Sequence, residues 1–571
     1  MTGSEITLTA GSCLAFMIAV ALVSYLKTKG EAGTRDGYFL AGHSLSAPFI
    51  AGSLLLTNLS AEQMIGLNGS AYSANLSSMG WEVTAAVASI AMAFIFLPRY
   101  LAGAFTTLPE FLSQRYDADV RRLSAALFIV GYGLVTIPSV LYSGSVAVLQ
   151  VFDVAGLTGL GDFTSLLLTV VVIGVIGALY AVLGGLRAVA VSDTLNGAGL
   201  LAVGLMVPAF GLVALGEGSF LDGLGRLVSD HREKLNAVGA RSDPTPFATL
   251  FTGMVFANLF YWCTNQYVIQ RVLGGASLAA SQKGVLFAGF FKVLVPFLMM
   301  IPGVIAFHLY GPGLERIDQA YPRLVGDVVP TVFSGLFLAV LLGAVFSSFN
   351  SLLNSAATLF VLDIWAPLAG RDVSEGELIG KAKLISIVIA VLSFGAAPLL
   401  SFAEAGLWQV IRVFTGFYNI PVIVIVIVGI FARHVPAAAA KVVIGFHILA
   451  YAALRFAPVD ILDIHFIHQY AVLFAVEVCI MLGYGALRPR PAAPLPAPKA
   501  QVDMTPWRYG VPTAVTLASS VAALYLLFSR LGVAGAEGPG RPFWSLAMML
   551  AAINAVAWVR AVAEGREQGR G

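Results

Sequence analysis

The sequence predicts an all-α membrane protein built around an inverted repeat, and three observations carry that prediction. Of 571 residues, 58% are hydrophobic and 11% charged, where a soluble domain has about 45–50% and about 25%. Apolar runs long enough to cross a ~30 Å hydrocarbon core recur about fifteen times. Two of those runs, each first in a block of five, are interrupted by hydrogen-bonding residues, the pattern of a transporter made from paired repeats. An ordinary soluble enzyme is excluded. A net charge of +2 with no basic or acidic block gives no sign of a nucleic-acid partner.

Residues 1–45 hold a first segment, Ile6 to Leu26, and a loop. No basic stretch precedes that segment and no small-residue cleavage site follows it, so it reads as a retained helix. Residues 46–215 form the first repeat: Ala47 to Ser70, Ser77 to Leu97, Leu123 to Leu149, Ser165 to Leu183 and Val189 to Leu215. The connection 216–246 mixes both charge signs and reads as an extracytoplasmic loop with short surface helices. The second repeat, 247–432, comprises Phe247 to Tyr267, Val285 to Tyr310, Pro330 to Trp365, Leu384 to Phe402 and Gly406 to Ile430. Residues 433–571 carry peripheral helices at Val442 to Leu454, His468 to Leu487, Tyr509 to Phe528 and Pro542 to Val559, with a Pro- and Ala-rich linker near 489–505. The first of these is short, so the total is 14 or 15.

With the amino terminus outside, 22 Lys and Arg residues fall on the inner side and nine on the outer, as the positive-inside rule requires. The expected setting is a multi-pass protein of a bacterial plasma (inner) membrane, partnered by the lipid bilayer, with no obligate protein partner evident. Cys13, Cys263 and Cys479 lie in apolar segments without metal-ligand spacing and read as packing residues.

A charge at the bilayer centre costs roughly 2.5–3.5 kcal/mol, so a helix that keeps one usually faces a cavity or a partner. Glu62, Glu82, Asp193, Lys292, Arg412 and Glu477 are such positions. Glu477, alone in a late helix, reads as a neutral acid bonded to an adjacent helix. The second segment carries Ser53-Leu-Leu-Leu-Thr-Asn-Leu-Ser-Ala-Glu-Gln63, and the seventh repeats the theme with Ala257-Asn-Leu-Phe-Tyr-Trp-Cys-Thr-Asn-Gln266. Unwinding at both would expose carbonyls to a cation and half-helix ends to a polar solute. Intact helices bonded through polar side chains are the alternative. Ser347 and Ser348 in the ninth segment offer hydroxyl oxygens suited to a hard cation such as Na⁺, although serine also packs helices closely.

The chain has no Walker A string; Gly380-Lys381-Ala382 lacks the hydroxyl that would meet Mg²⁺. Nor is there a His-Glu-x-x-His, and His465 with His468 reads as an interfacial pair. A carrier driven by an ion gradient remains, not an enzyme.

The motifs Gly37-Tyr-Phe-Leu-Ala-Gly-His-Ser-Leu45, Thr57-Asn-Leu-Ser-Ala-Glu-Gln-Met-Ile-Gly-Leu-Asn-Gly-Ser-Ala-Tyr72, Gly184-Gly-Leu-Arg-Ala-Val-Ala-Val-Ser-Asp193, Asn265-Gln-Tyr-Val-Ile-Gln-Arg271 and Ser347-Ser348 with Leu353-Asn-Ser-Ala-Ala-Thr358 resemble those of the solute:sodium symporters. The likeness is to the sodium/sugar branch of bacterial sodium/galactose and animal sodium/glucose cotransporters, from about Gly37 to Arg433. It implies a LeuT-like 5+5 core and Na⁺ as coupling ion, with no organic cofactor. Family sodium ligands fall on the carbonyls of Leu56, Leu59 and Ala344 and the hydroxyls of Ser347 and Ser348, with Asp193 near the inner sodium exit. Family sugar ligands fall on Asn58, Gln63, Glu82, Asn258 and Lys292. Tyr261 matches the aromatic under the pyranose ring, Trp262 stands beside it, and Leu67, Trp81 and Trp408 match the outer hydrophobic gate.

Two positions depart from the galactose pattern. Ala85 replaces a serine, and Arg412 replaces a glutamine. Arg412 either pairs with Glu82 and leaves a neutral-sugar site or awaits an anionic solute such as a sugar acid. The implied function is sodium-coupled symport of a hexose, galactose or glucose, by alternating access. Sodium- or proton-coupled uptake of a sugar acid is the runner-up, ahead of a transporter-like sensor or a passive channel.

Overall fold

In the computed structural model the described residues are 3–28, 39–152, 154–314, 316–370, 372–402, 407–457, 462–491 and 502–568. They form an all-helical bundle in which twelve helices are long and apolar enough to cross a membrane. Two shorter apolar helices, Ala47–Asn58 and Gly253–Cys263, and the apolar stretch Asp162–Ala178 that opens a longer helix coincide with the second, seventh and fifth expected segments.

In chain order the helices are α1 (Gly3–Thr28), α2 (Ala47–Asn58), α3 (Ala61–Ser73), α4 (Leu76–Gly103), α5 (Ala118–Leu149) and α6 (Asp162–Leu215). The second half comprises α7 (Gly253–Cys263), α8 (Gln266–Leu273), α9 (Leu278–Tyr310), α10 (Thr331–Ala369), α11 (Glu375–Phe402) and α12 (Leu407–Phe431). Four peripheral helices follow: α13 (Ala437–Phe456), α14 (Phe466–Leu487), α15 (Gly510–Leu527) and α16 (Arg541–Gln568). The expected short span at Val442 to Leu454 is thus a full 20-residue helix.

Local chemistry sets where the long helices begin. Asp117 accepts from the backbone N–H groups of Asp119 and Val120 at 3.0 and 2.9 Å and starts α5. Ser277 accepts from Ala280 N–H at 3.1 Å and starts α9. Each satisfies donors that a helix start otherwise leaves unpaired. α10 runs through the centre, and its residues from Gly343 to Leu359 are all buried. Outer faces such as Val388, Val391 and Leu392 of α11 remain exposed apolar surface, as lipid-facing helices require.

The fifth and sixth expected segments are one 54-residue helix, α6, with no break at Gly184-Gly185. A glycine costs a helix only about 1 kcal/mol, and the same helix also carries Pro208 in its interior. The run is nevertheless not straight. Gly177 packs on Phe346 and Phe349, while Asp193 faces Ser347; a straight helix would hold Gly177 and Asp193 about 24 Å apart. Both halves therefore bend back onto one level of α10. Cys13 and Cys263 pack inside as expected, but Cys479 is exposed, on the outward side of α14. Most of the expected Pro- and Ala-rich linker, 492–501, lies outside the described residues.

Candidate functional site

Both interrupted segments are broken helices. α2 stops at Asn58, Leu59 leaves helical geometry at φ −96°, ψ 80°, and extended Ser60 leads into α3. Leu59 N–H still reaches Leu55 O at 2.8 Å, but among the described residues no backbone N–H from beyond the break reaches the carbonyl of Leu56 or Leu59. The second interruption falls at Thr264 and Asn265, between α7 and α8. The two breaks face each other across a small cavity of about 80 Å³.

The cavity gathers most of the expected solute residues. Asn58, Gln63, Trp81, Glu82, Asn258, Tyr261, Trp262, Lys292 and Arg412 line it, with Ser348 from α10. Gln63 donates its amide to Glu82 Oε1 at 3.1 Å, and Lys292 donates to Glu82 Oε2 in a buried ion pair. Asn258 donates to Thr84 at 2.8 Å. The Tyr261 ring meets Trp262 and Tyr267 edge-on at 6.3 and 5.8 Å.

Arg412 does not take the carboxylate that sequence reasoning offered it. Glu82 is held by Lys292 and Gln63, and the Arg412 guanidinium lies 4.3 Å from the Trp81 ring centroid, a cation–π contact. Ala85 lines the cavity where the hydroxyl of the galactose pattern would stand.

The expected gate and sodium residues are less uniform. Leu67 is fully buried but does not line the cavity, and the Trp408 side chain lies outside the described residues. Leu56, Leu59 and Ala344 are fully buried. The Ser348 hydroxyl is buried without a hydrogen-bond partner; Ser347 likewise has none within bonding geometry, though it faces Asp193. Asp193 has no solvent exposure in this conformation. Its Oδ2 accepts from Ser53 at 2.7 Å and from Arg271 at 3.5 Å, while its Oδ1 is buried without a partner.

Sequence reasoning missed part of the lining. Thr136, Thr415, Tyr418, Asn419 and Tyr470 face the cavity from α5, α12 and α14. Thr136 sits in a π turn, Tyr132–Thr136, a device common at functional positions. Glu62, noted as a charge to explain but not placed in the site, lines the cavity with its Oε2 buried and unbonded. Glu477 does bond to an adjacent helix, to His447 on α13 at 2.6 Å. His468 bonds to Thr252 at 2.8 Å, away from the cavity.

A model described as Sodium:solute symporter family matches residues 38–444. An uncharacterized symporter of Escherichia coli, YidK, is 43% identical over 524 residues, 91% of this chain and 90% of its own. A sodium/glucose cotransporter of Vibrio parahaemolyticus is 29% identical over 81% of this chain and 87% of its own. The human sodium/myo-inositol cotransporter 2 is 30% identical over 73% of this chain and 64% of its own. Among solved structures, a substrate-bound, outward-open Na⁺-coupled sialic acid symporter superposes with TM-score 0.74 at 21% identity, covering 85% of this chain and 99% of its own.

Proposed function

The chain belongs to the Sodium:solute symporter family, and from that premise we propose that it carries a neutral polyhydroxylated ring, a hexose such as galactose or glucose, into the cell with Na⁺ by alternating access. The observation that carries this reading is the Gln63 amide. A carboxylate only accepts, so Gln63 must turn its NH₂ toward Glu82, which leaves Gln63 Oε1 buried and unbonded. Glu62 Oε2 is a second open acceptor in the same wall. Open acceptors call for a guest that brings hydroxyl donors, as a sugar or an inositol does, and the Tyr261 and Trp262 rings offer a face to its C–H surface. The sodium/glucose and sodium/myo-inositol relatives are named for solutes of that class.

We assign the coupling ion to the first break: the carbonyls of Leu56, Leu59 and Ala344 with the hydroxyls of Ser347 and Ser348, an all-oxygen set of the kind hard cations prefer. The unbonded Ser348 hydroxyl, which itself lines the solute cavity, supports it. Na⁺ bound there would steady the break that presents Asn58 and Gln63, so each ligand would raise the other's affinity equally. The amino terminus is assigned to the outer side of the plasma membrane, on the excess of Lys and Arg in the opposite loops.

Uptake into proteoliposomes of galactose, glucose, myo-inositol and glucuronate at two sodium concentrations tests the proposal. Sodium-driven accumulation of a neutral ring is expected; accumulation that ignores sodium overturns the coupling, and mere equilibration would make the protein a passive channel. A second reading, an anionic sugar acid, is favoured by one observation: Arg412 stands in the cavity while Glu82 is taken by Lys292. Arg412→Gln would then impair glucuronate uptake far more than galactose uptake, and equal effects would remove this reading.

A further inference from the structure

A second depression of the molecule is chemically the opposite of the solute cavity. Where α2, α6 and α9 meet, a groove of about 540 Å³ is walled almost wholly by carbon. Small residues make its floor: Ala51 and Gly52 of α2, Gly197 and Ala198 of α6. The close approach needs them, since a Cβ on Gly52 would lie 2.9 Å from the Thr194 hydroxyl. Phe287 and Phe290 of α9 form the opposite wall, and Phe287 and Ala198 are exposed on the outside of the bundle. The one hydroxyl in the wall, on Thr194, is spent on the carbonyl of Ala190 at 2.8 Å. Water would find no partner there; hydrocarbon would.

One end of the groove is basic. Where α9 begins, the Lys283 ammonium lies 5.6 Å from the Phe287 ring and 5.8 Å from that of Trp507. Where α1 finishes, the Lys27 ammonium lies 5.9 Å from the ring of Phe49, the neighbour of Pro48 in the groove wall. Neither lysine makes an ion pair among the described residues. Two ammonium groups and a tryptophan at the mouth of an apolar slot match a phosphodiester at headgroup level with its acyl chain below.

We propose that this groove is a binding site for an anionic phospholipid, its acyl chain lying between α2 and α9 and its headgroup held by Lys27 and Lys283. The site bears on transport through α2, which forms one wall of the groove and ends at Asn58 in the solute cavity. A chain packed there holds α2 against α6 and α9, so any movement of α2 must reshape or empty the slot. The proposal does not depend on which solute is carried.

Native mass spectrometry of the full-length protein in detergent, titrated with dioleoylphosphatidylglycerol and separately with dioleoylphosphatidylcholine, tests it. Retention of phosphatidylglycerol well above phosphatidylcholine is expected, with Lys27→Gln plus Lys283→Gln weakening it about thirtyfold. Ala198→Trp, a change on the exposed side of α6, should fill the slot and weaken it too while the protein stays monodisperse. Equal retention of the two lipids overturns the proposal, as does preference that survives the double lysine change. Preference lost with the lysines but untouched by Ala198→Trp also overturns it, because the headgroup would then sit on the surface with no chain in the groove.

Discussion

The two broken helices start from nearly the same string, Asn58-Leu59 and Asn258-Leu259, yet the protein finishes them differently. At the second break most of the side chains and backbone N–H groups beside the gap are tied to protein, although Trp262 Nε1 is buried without a partner. Thr264 and Asn265 return their N–H groups to Phe260 O at 3.0 Å each. Tyr100 donates to Cys263 O at 2.9 Å, Tyr132 donates to Asn265 Oδ1, and Gln266 accepts from Leu108 N–H at 2.9 Å. At the first break the side-chain oxygens of Thr57, Asn58, Glu62 and Gln63 are buried without a bond. Buried polar groups left unbonded are expensive, so a wall that keeps four is shaped for a guest. An unwound helix is therefore not itself a binding site; what matters is whether neighbouring side chains have already satisfied it.

That contrast can be broken at its anchor first. Lys292→Ala strands the Glu82 carboxylate that holds Gln63, and losing one partner of a buried ion pair costs about 3–5 kcal/mol. The melting temperature should fall steeply; a stable variant with intact uptake would mean the first break does not lean on this pair. Next in size is Ser348→Ala. It removes an oxygen that no protein group uses, so sodium-free stability should hold within about 0.5 kcal/mol. The sodium concentration for half-maximal uptake should rise about ten- to a hundredfold, the worth of one bond to a charged group. A variant that melts early but keeps its sodium response would make Ser348 a packing residue and sink the ion assignment.

The sequence showed the breaks because polar residues inside an apolar window are costly and therefore conspicuous, and Ser53 to Gln63 is a cluster of them. Ser347 and Ser348 were legible for the same reason once a facing break was in view. The groups that distinguish one break from the other were not. Tyr100 and Tyr132 lie far from Asn265 in the chain, and each is one of several aromatic residues in an apolar helix, indistinguishable by spacing from a packing residue. Thr415, Asn419 and Tyr470 are hidden in the same way. Glu82 was identifiable as a charge needing a partner, but only packing decides between Lys292 and Arg412. The continuity of α6 was illegible because the apolar runs Ser165 to Leu183 and Val189 to Leu215 are each long enough to span a bilayer alone.

The second break supplies the smaller effects. Tyr132→Phe leaves Asn265 Oδ1 buried without its donor, at a cost of about 1–3 kcal/mol, and should lower stability while the sodium response stays within about twofold. Loss of sodium affinity there would show that the two breaks are one site after all. Thr264→Val should do least. Its hydroxyl donates to Phe260 O at 2.8 Å, but that carbonyl already receives the N–H groups of Thr264 and Asn265. No acceptor is abandoned, valine keeps the side chain's shape, and the loss should stay below about 1 kcal/mol. A larger drop in the melting temperature would mean that the hydroxyl, rather than the two N–H groups, holds this turn together, and that the second break is less securely tied than its bonds indicate.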